Sequence, residues 1–361
     1  MNILLITRPL SKPWNEGSKN LAYGIAKNIK NHKIHILTRK DFDEKLNKNI
    51  ITHKIYPEKK SFHITYLEKL KLLMFLLKQK DIDIYHFIYT PEIYSSFLNK
   101  LITKLKSKKS IQTIPTKIEN IRNIKKLLFA DKIVVISDFT KRLLIDNNIK
   151  NVIKINTGID IDYFKPIKKN SNLIKNYKLE NKIIILVPIE LGDIKNRNII
   201  CNLINDINVD NIKFILAYRS NIKSNIKNII NKMLSRLNSD KKIIFIKDPK
   251  DIRLIFSISD IVLYPRSSTS KKHEIPMVLI EAMAMEKPII MWDVPPFNEL
   301  LSYNDGIKAK NYHDLKNSLV KLIKSKKLRI SMGKMARKRV IDNFNIQETS
   351  KKYENLYKKL T

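Results

Sequence analysis

Four polar stretches, at 7–18, 86–92, 188–197 and 265–274, follow short apolar runs and carry groups able to meet an anion. The first holds Gly17-Ser18, the second His86, the third Lys195 and Arg197, and the fourth Arg266, His273 and Glu274. Lysine neutralises phosphate as a point charge, and arginine through two parallel hydrogen bonds. A glycine before a helix lets a ligand approach the unsatisfied amides, and Ser18 beside it is by type a good N-cap. His86, in Asp83-Ile84-Tyr85-His86-Phe87, is open to two readings: a group that holds an acceptor, or a core histidine satisfied from within. Lys195 likewise reads as a ligand or as an ordinary solvated lysine. Asp-x-Asp triplets at Asp41/Asp43, Asp81/Asp83 and Asp160/Asp162 have the pattern that holds a divalent cation on a diphosphate. Three-residue matches arise by chance, and no metal is expected.

The elements that must position these groups alternate along the chain. Short β-branched runs at 3–6, 33–37, 82–87, 110–112 and 132–136 read as strands, with helices at 18–31, 66–80, 90–107 and 140–147. The second half repeats the pattern, with strands at 182–187, 213–217, 242–246, 261–264 and 288–291 and helices at 199–205, 226–237, 249–257 and 278–285. Most of these strands are continuously apolar, as strands covered on both faces are, and β/α alternation implies parallel sheets. Ligands of such sheets bind beyond the carboxyl ends of the strands, where the four polar stretches fall. Lys165-Pro166 and the polar residues to Asn172 have no apolar period and read as a linker. The last segment, 345–360, is a polar helix with Tyr353, Leu356, Tyr357 and Leu360 on one stripe, which needs a surface to pack on.

Composition sets the outer bounds. The 361 residues include 70 Lys+Arg against 34 Asp+Glu, a net charge of +36, and 43% hydrophobic residues, enough to fill an interior of about two domains. Lysine far outnumbers arginine while isoleucine and asparagine are also abundant, which points to compositional drift more than to nucleic-acid binding. The single cysteine, Cys201, leaves no internal disulfide and no multi-thiolate metal site. No GxGxxG and no P-loop occurs among the six glycines, which sets aside dinucleotide dehydrogenases and P-loop enzymes. No apolar run approaches a membrane span, and the opening residues read as a strand, not a signal peptide, so a cytoplasmic protein is expected. Residues 66–80 pair leucines with lysines and read either as an amphipathic cover helix or as a contact with an anionic inner-membrane face.

The run HEIPMVLIEAMAMEKPIIMWDVPPFNELL, residues 273–301, resembles the donor-binding segment of glycosyltransferase family 4. Glu281-Ala282-Met283-Ala284 and Lys287-Pro288 carry the likeness. Val134-Val135-Ile136-Ser137, Gly158-Ile159-Asp160, Asp260 to Pro265 and Tyr353-Glu354-Asn355-Leu356-Tyr357 follow in the family's order. The resemblance implies a GT-B fold, an α/β architecture of two Rossmann-like doubly wound parallel-sheet domains facing across a cleft. It places the acceptor-side domain at 1–168, the donor-binding domain at 169–344, and a terminal helix at 345–361 returning to the first. It implies retaining, metal-free transfer of a sugar, of hexosyltransferase type, from a nucleotide-diphosphate sugar to a sugar or lipid-linked acceptor, with no cofactor.

By the same resemblance Glu281 binds the donor ribose, Gly17, Ser18, Lys195, Arg197 and Arg266 serve the diphosphate, and Met277 and Val278 line the donor pocket. A plain acid near a helix N-terminus is the other reading of Glu281. The family's first glutamate, eight residues before Glu281, is His273 here, so His273 or Glu274 takes the donor-sugar contact. Glu190 stands where the family has an arginine, Pro276 where it usually has a glycine, and one glycine remains of the pair at Gly17. His86 and His273 are the candidate catalytic groups. A GT-B protein that binds nucleotide-sugar without transferring it, and a basic membrane- or nucleic-acid-binding protein, are the alternatives.

Overall fold

The computed structural model describes residues 1–12, 14, 16–58, 65–219, 226–238, 242–266 and 273–361. Residues 13, 15 and 267–272 of the polar stretches lie outside the described residues. The chain divides into two compact units. One comprises Met1–Asp160, Thr269–Pro276 and Phe344–Thr361, and the other Ile161–Ser268 and Met277–Asn343. Residues 161–168 fall in the second unit, whereas His273 and Glu274 fall in the first.

The first unit is built on strands β1 (Asn2–Ile6), β2 (Lys33–Arg39), β3 (Ile50–Tyr56), β4 (Ile84–Ile88), β5 (Lys109–Ile114), β6 (Lys132–Val135) and β7 (Val152–Lys154). They form one parallel sheet in the order β3-β2-β1-β4-β5-β6-β7. Its helices are α1 (Gly17–Asn28), α2 (Tyr66–Lys78), α3 (Ile93–Leu105), α4 (Ile124–Leu127) and α5 (Asp138–Asp146). Alternate residues of β1 feed opposite faces. Ile3 and Leu5 pack with Leu21 and Ile25 of α1, while Leu4 and Ile6 pack with Leu76 of α2 and Ile102 of α3. Each such side chain contributes about 1.5–3 kcal/mol by leaving water.

In the second unit the strands are β8 (Ile183–Ile189), β9 (Ile212–Tyr218), β10 (Ile243–Lys247), β11 (Ile261–Tyr264), β12 (Ile289–Trp292) and β13 (Ile307–Ala309). All pair in parallel in the order β10-β9-β8-β11-β12-β13. The helices are α6 (Ser171–Asn176), α7 (Ile194–Asp206), α8 (Ile226–Leu234), α9 (Ile252–Ile258), α10 (Met277–Ala284), α11 (Tyr312–Lys324) and α12 (Lys326–Asn343). The last helix, α13 (Ile346–Lys358), lies in the first unit, where Tyr353, Leu356 and Tyr357 are buried with Leu21 and Ile25 of α1. Its start is tied to residue 159 by Ile159 N–H donating to Phe344 O at 2.8 Å and Ile346 N–H to Ile159 O at 2.9 Å. Gly158 is required there, because a Cβ would stand 2.7 Å from Ile346 Cα.

Both sheets are doubly wound with one topology. The chain starts mid-sheet, moves outward over two strands, then returns to the other side of the first strand. The reversal lies between β1 and β4 in one unit and between β8 and β11 in the other. In open α/β sheets the carboxyl ends of the strands at that reversal form the usual ligand site. No helix of the described residues is long and apolar enough to cross a membrane.

Candidate active site

In the second unit the reversal point is lined by charge. Beyond β8 stand Glu190 and Asp193, beyond β9 Arg219, and beyond β11 Arg266. Asp193 is the N-cap of α7, its carboxylate accepting from Asn196 N–H at 3.1 Å. Lys195 sits exposed in the first turn of that helix, where the helix dipole already favours an anion. Arg197, one residue further from Asn196, is partly buried, and its Nε has no hydrogen-bond partner. Asn196 is itself buried with its Oδ1 unpartnered. Arg266 is held across the reversal point by Glu190, Nη1 to Oε2 at 3.2 Å, so this guanidinium is already paired. The Glu190 that stands in the place of the family's arginine therefore fixes an arginine supplied by another strand.

Met277 and Val278 open α10, both partly buried, and Glu281 follows one turn on. The Glu281 carboxylate makes no hydrogen bond to a described residue, and burial pushes its pKa up to about 7 against the opposing pull of Arg219. A half-buried carboxylate with no hydrogen bond to a described residue has its oxygens open to a ligand. A pair of vicinal hydroxyls from a ligand would satisfy both of its oxygens. Position five of a helix is too far in for the plain N-terminal acid that the sequence also allowed.

The first unit treats its candidates differently. His86 lies inside β4, not beyond it, and is fully buried. Its Nδ1 meets Tyr357 Oη and its Nε2 meets Thr113 Oγ1, both at 2.7 Å, and Thr113 Oγ1 meets Tyr353 Oη at 3.1 Å. Burial pushes its pKa down to about 3. A histidine with both nitrogens engaged and no solvent path holds no acceptor. The reading of His86 as a catalytic group is corrected to a core histidine that joins α13 to the sheet.

Glu274 is corrected in the same way. Its Oε2 accepts from Ser137 Oγ at 2.7 Å and its Oε1 from Thr140 Oγ1, while its N–H donates to Pro115 O at 2.9 Å. Ser137 is the N-cap of α5, so this fully buried carboxylate closes a helix start and is not offered to a donor. At the adjacent position His273 pairs antiparallel with Thr116, and its Nδ1 lies 2.8 Å from Ile275 O. A carbonyl partner assigns the proton to Nδ1 and leaves Nε2 an acceptor, and Nε2 is buried without a partner. Burial pushes the His273 pKa down to about 4, so the ring is neutral at physiological pH. Of the two residues that could replace the family's first glutamate, His273 is the one with an unspent acceptor atom.

Gly17 begins α1, but the N-cap is Glu16, and Ser18 Oγ donates to Glu16 Oε1 at 2.9 Å, so Ser18 is not the cap expected from its type. The neighbouring Lys19 went unread in the sequence. It is buried, bonded through Nζ to Ser11 O, stacked over Trp14, and lowered to about 8 by burial. Its signal was a lysine on the apolar stripe of Ala22, Ala26 and Ile29. Arg219 carried no such signal, because only the pairing of β9 beside β8 brings it to the reversal point.

Residues 168–339 match the family model of glycosyl transferases group 1. An uncharacterised glycosyltransferase of Methanocaldococcus jannaschii is 28% identical over 336 residues, covering 86% of this chain and 85% of its own. Among solved structures, a glycosyltransferase from Rickettsia africae superposes with a TM-score of 0.78 at 19% identity, covering 99% of this chain and 98% of its own. Anabaena HepE in complex with UDP does so at 0.79 and 13% identity, over 100% of both chains. With a group 1 match across most of its second unit and the GT-B fold throughout, the chain is a glycosyltransferase.

Proposed function

We propose that the chain is a family 4 type enzyme that transfers a sugar from a nucleoside diphosphate sugar to an acceptor hydroxyl, with retained configuration and without a metal. The observation that carries the donor class is the half-buried Glu281 carboxylate on α10, raised by burial and without a hydrogen bond to a described residue, which suits a ribose diol. Anabaena HepE, which binds UDP and UDP-glucose, lends the same reading to this fold. As the bond from the anomeric carbon to the phosphate oxygen breaks, its electron pair goes to the leaving diphosphate. Lys195, Arg197 and the start of α7 answer that growing charge, the work a divalent cation does elsewhere. Retention rests on the resemblance of residues 273–301. His273 Nε2, neutral and acceptor-only, suits accepting from a hydroxyl better than proton transfer.

The test is a thermal-shift panel of nucleoside diphosphates and their sugars at high salt, with and without a chelator. It is followed by product analysis with sugar and lipid-linked acceptors. A ligand at 100 times its Kd adds about 2.7 kcal/mol, readily seen as a rise in Tm. One nucleotide standing clear of the others supports the reading, and a uniform response that vanishes with salt defeats it. The sealed His86 and Glu274 favour a second reading, a GT-B protein that binds nucleotide-sugar without transferring it. Tight binding with no product under any acceptor would select that one.

A further inference from the structure

Ten of the eighteen exposed large hydrophobic side chains among the described residues lie on two neighbouring helices of the first unit. On α2 they are Tyr66, Leu67, Leu70, Met74 and Leu77, with Tyr66 90% and Leu67 73% exposed. The helix buries a different stripe, Leu76 with Leu72 and Leu73 beside it, so it is apolar on two sides. On α3 the exposed set is Ile93, Tyr94, Phe97, Leu101 and Leu105, with Tyr94 83% and Leu105 68% exposed. Both helices cover the same face of the sheet, and Lys106 joins their ends by donating from Nζ to Leu77 O at 2.8 Å. The sequence hinted at α2 alone. The fold sets α3 over the same sheet face as α2, so both exposed apolar sets lie on one side of the sheet, where isolated exposed apolar residues would need no explanation.

The charges around this surface are mostly positive, with Glu92 at the N-cap of α3 the exposed exception beside it. Lys69, Lys71 and Lys78 on α2 and Lys100 and Lys104 on α3 are exposed. The single carboxylate of α2, Glu68, is turned inward to close the capping box with Thr65, and α3 has none. A second copy of the chain laid on this face would set lysines against lysines. A bilayer rich in anionic lipid offers phosphates to the lysines and hydrocarbon to the apolar side chains.

We propose that the α2–α3 face docks the protein on an anionic membrane surface, with Leu67, Met74, Phe97 and Leu101 entering the interface and the lysines meeting lipid phosphates. The inference concerns the first unit alone and stands apart from the donor site.

The full chain is sedimented with vesicles of phosphatidylcholine plus phosphatidylglycerol, and with pure phosphatidylcholine. Both are run at low salt and at about 1 M salt, where the Debye length is about 3 Å. With a net charge of +36 the chain will adhere to anionic vesicles at low salt in any case, so the high-salt fraction decides. The wild type should keep a bound fraction there. The variant L67S/M74S/F97S/L101S should lose it, with partitioning at least about tenfold weaker, a loss of about 1.4 kcal/mol or more. All four side chains are exposed or nearly so, and an unchanged Tm checks that the variant folds. Lys71→Gln with Lys104→Gln should weaken low-salt binding only. Equal partitioning of wild type and variant, or full release of the wild type by salt, would overturn the proposal. So would a vesicle-free dimer that the four serines convert to monomer, since a second copy would then own the face.

Discussion

The two sheets place their first and fourth strands side by side, β1 with β4 and β8 with β11, and diverge in what they do with the polar groups nearby. The first unit turns His86 into a link between the sheet and α13, and Glu274 into a cap for α5. In the second unit Lys195, the Nε of Arg197 and the carboxylate of Glu281 have no partner among the described residues. The contrast holds for these side chains and not for the units as wholes, since Thr7 Oγ1, Tyr85 Oη and His273 Nε2 of the first unit are also buried without a partner among the described residues. A satisfied group holds structure together, and an unsatisfied one keeps its binding energy for a ligand.

Acidification should separate the units most strongly. Burial pushes His86 down to about 3 and His35 down to about 4, below the usual 6.5, so both are neutral in the folded first unit. Their contribution to stability is complete above pH 6.5 and drains away as pH falls, by about 2 kcal/mol each at pH 5. Glu281 runs the other way. Its raised pKa costs stability at high pH, and the cost lifts as pH falls from about 7 toward 4.5. Hydrogen exchange, corrected for its intrinsic pH dependence, should show β1, β2 and β4 loosening well before β8, β9 and β11. Equal loosening in both units would erase the contrast.

Next in size is Glu274→Ala, which strips two hydroxyls of a fully buried acceptor. A loss of about 3 kcal/mol is expected by calorimetry, with nucleotide affinity of the folded protein unchanged. If affinity fell while Tm held, Glu274 would belong with the donor after all. Glu281→Gln should give the opposite signature. Titration calorimetry should show nucleoside diphosphate binding about 100-fold weaker, since charged hydrogen bonds are worth about 1.5–3 kcal/mol each. At pH 8 the same variant should melt about 2–4 °C higher, the return from removing about 1 kcal/mol of unsatisfied charge. Smallest is Lys195→Met, expected to weaken diphosphate binding about 3–10-fold at low salt and less at high salt, as an exposed charge does.

The central strands were readable because a strand covered on both faces must be continuously apolar. The runs at 3–6 and 261–264 became β1 and β11 with little or no change of bounds. The strands absent from the reading, β3, β7 and β13, are all sheet edges. An edge has one neighbour and partial cover, so Ile50–Tyr56 mixes histidine and lysine among its apolar residues, and Val152–Lys154 and Ile307–Ala309 are only three residues long. The polar helix α12 was missed for a related reason, since it buries only Met332, Gly333, Ala336 and Val340.

By itself, then, the sequence determined the alternation of elements and the parallel sheets, because local periodicity and residue type suffice for these, and the stretch 273–301 added a resemblance to a donor segment. It could not say which polar residues were spent. His86 and Glu274 look as chemical as His273 and Glu281 when read along the chain. Their partners, Thr113, Tyr357, Ser137 and Thr140, are 27 to 271 residues away. Hydrogen bonds across such separations exist only after the sheet has closed and α13 has docked. Only the tertiary structure decided which groups remain for a ligand.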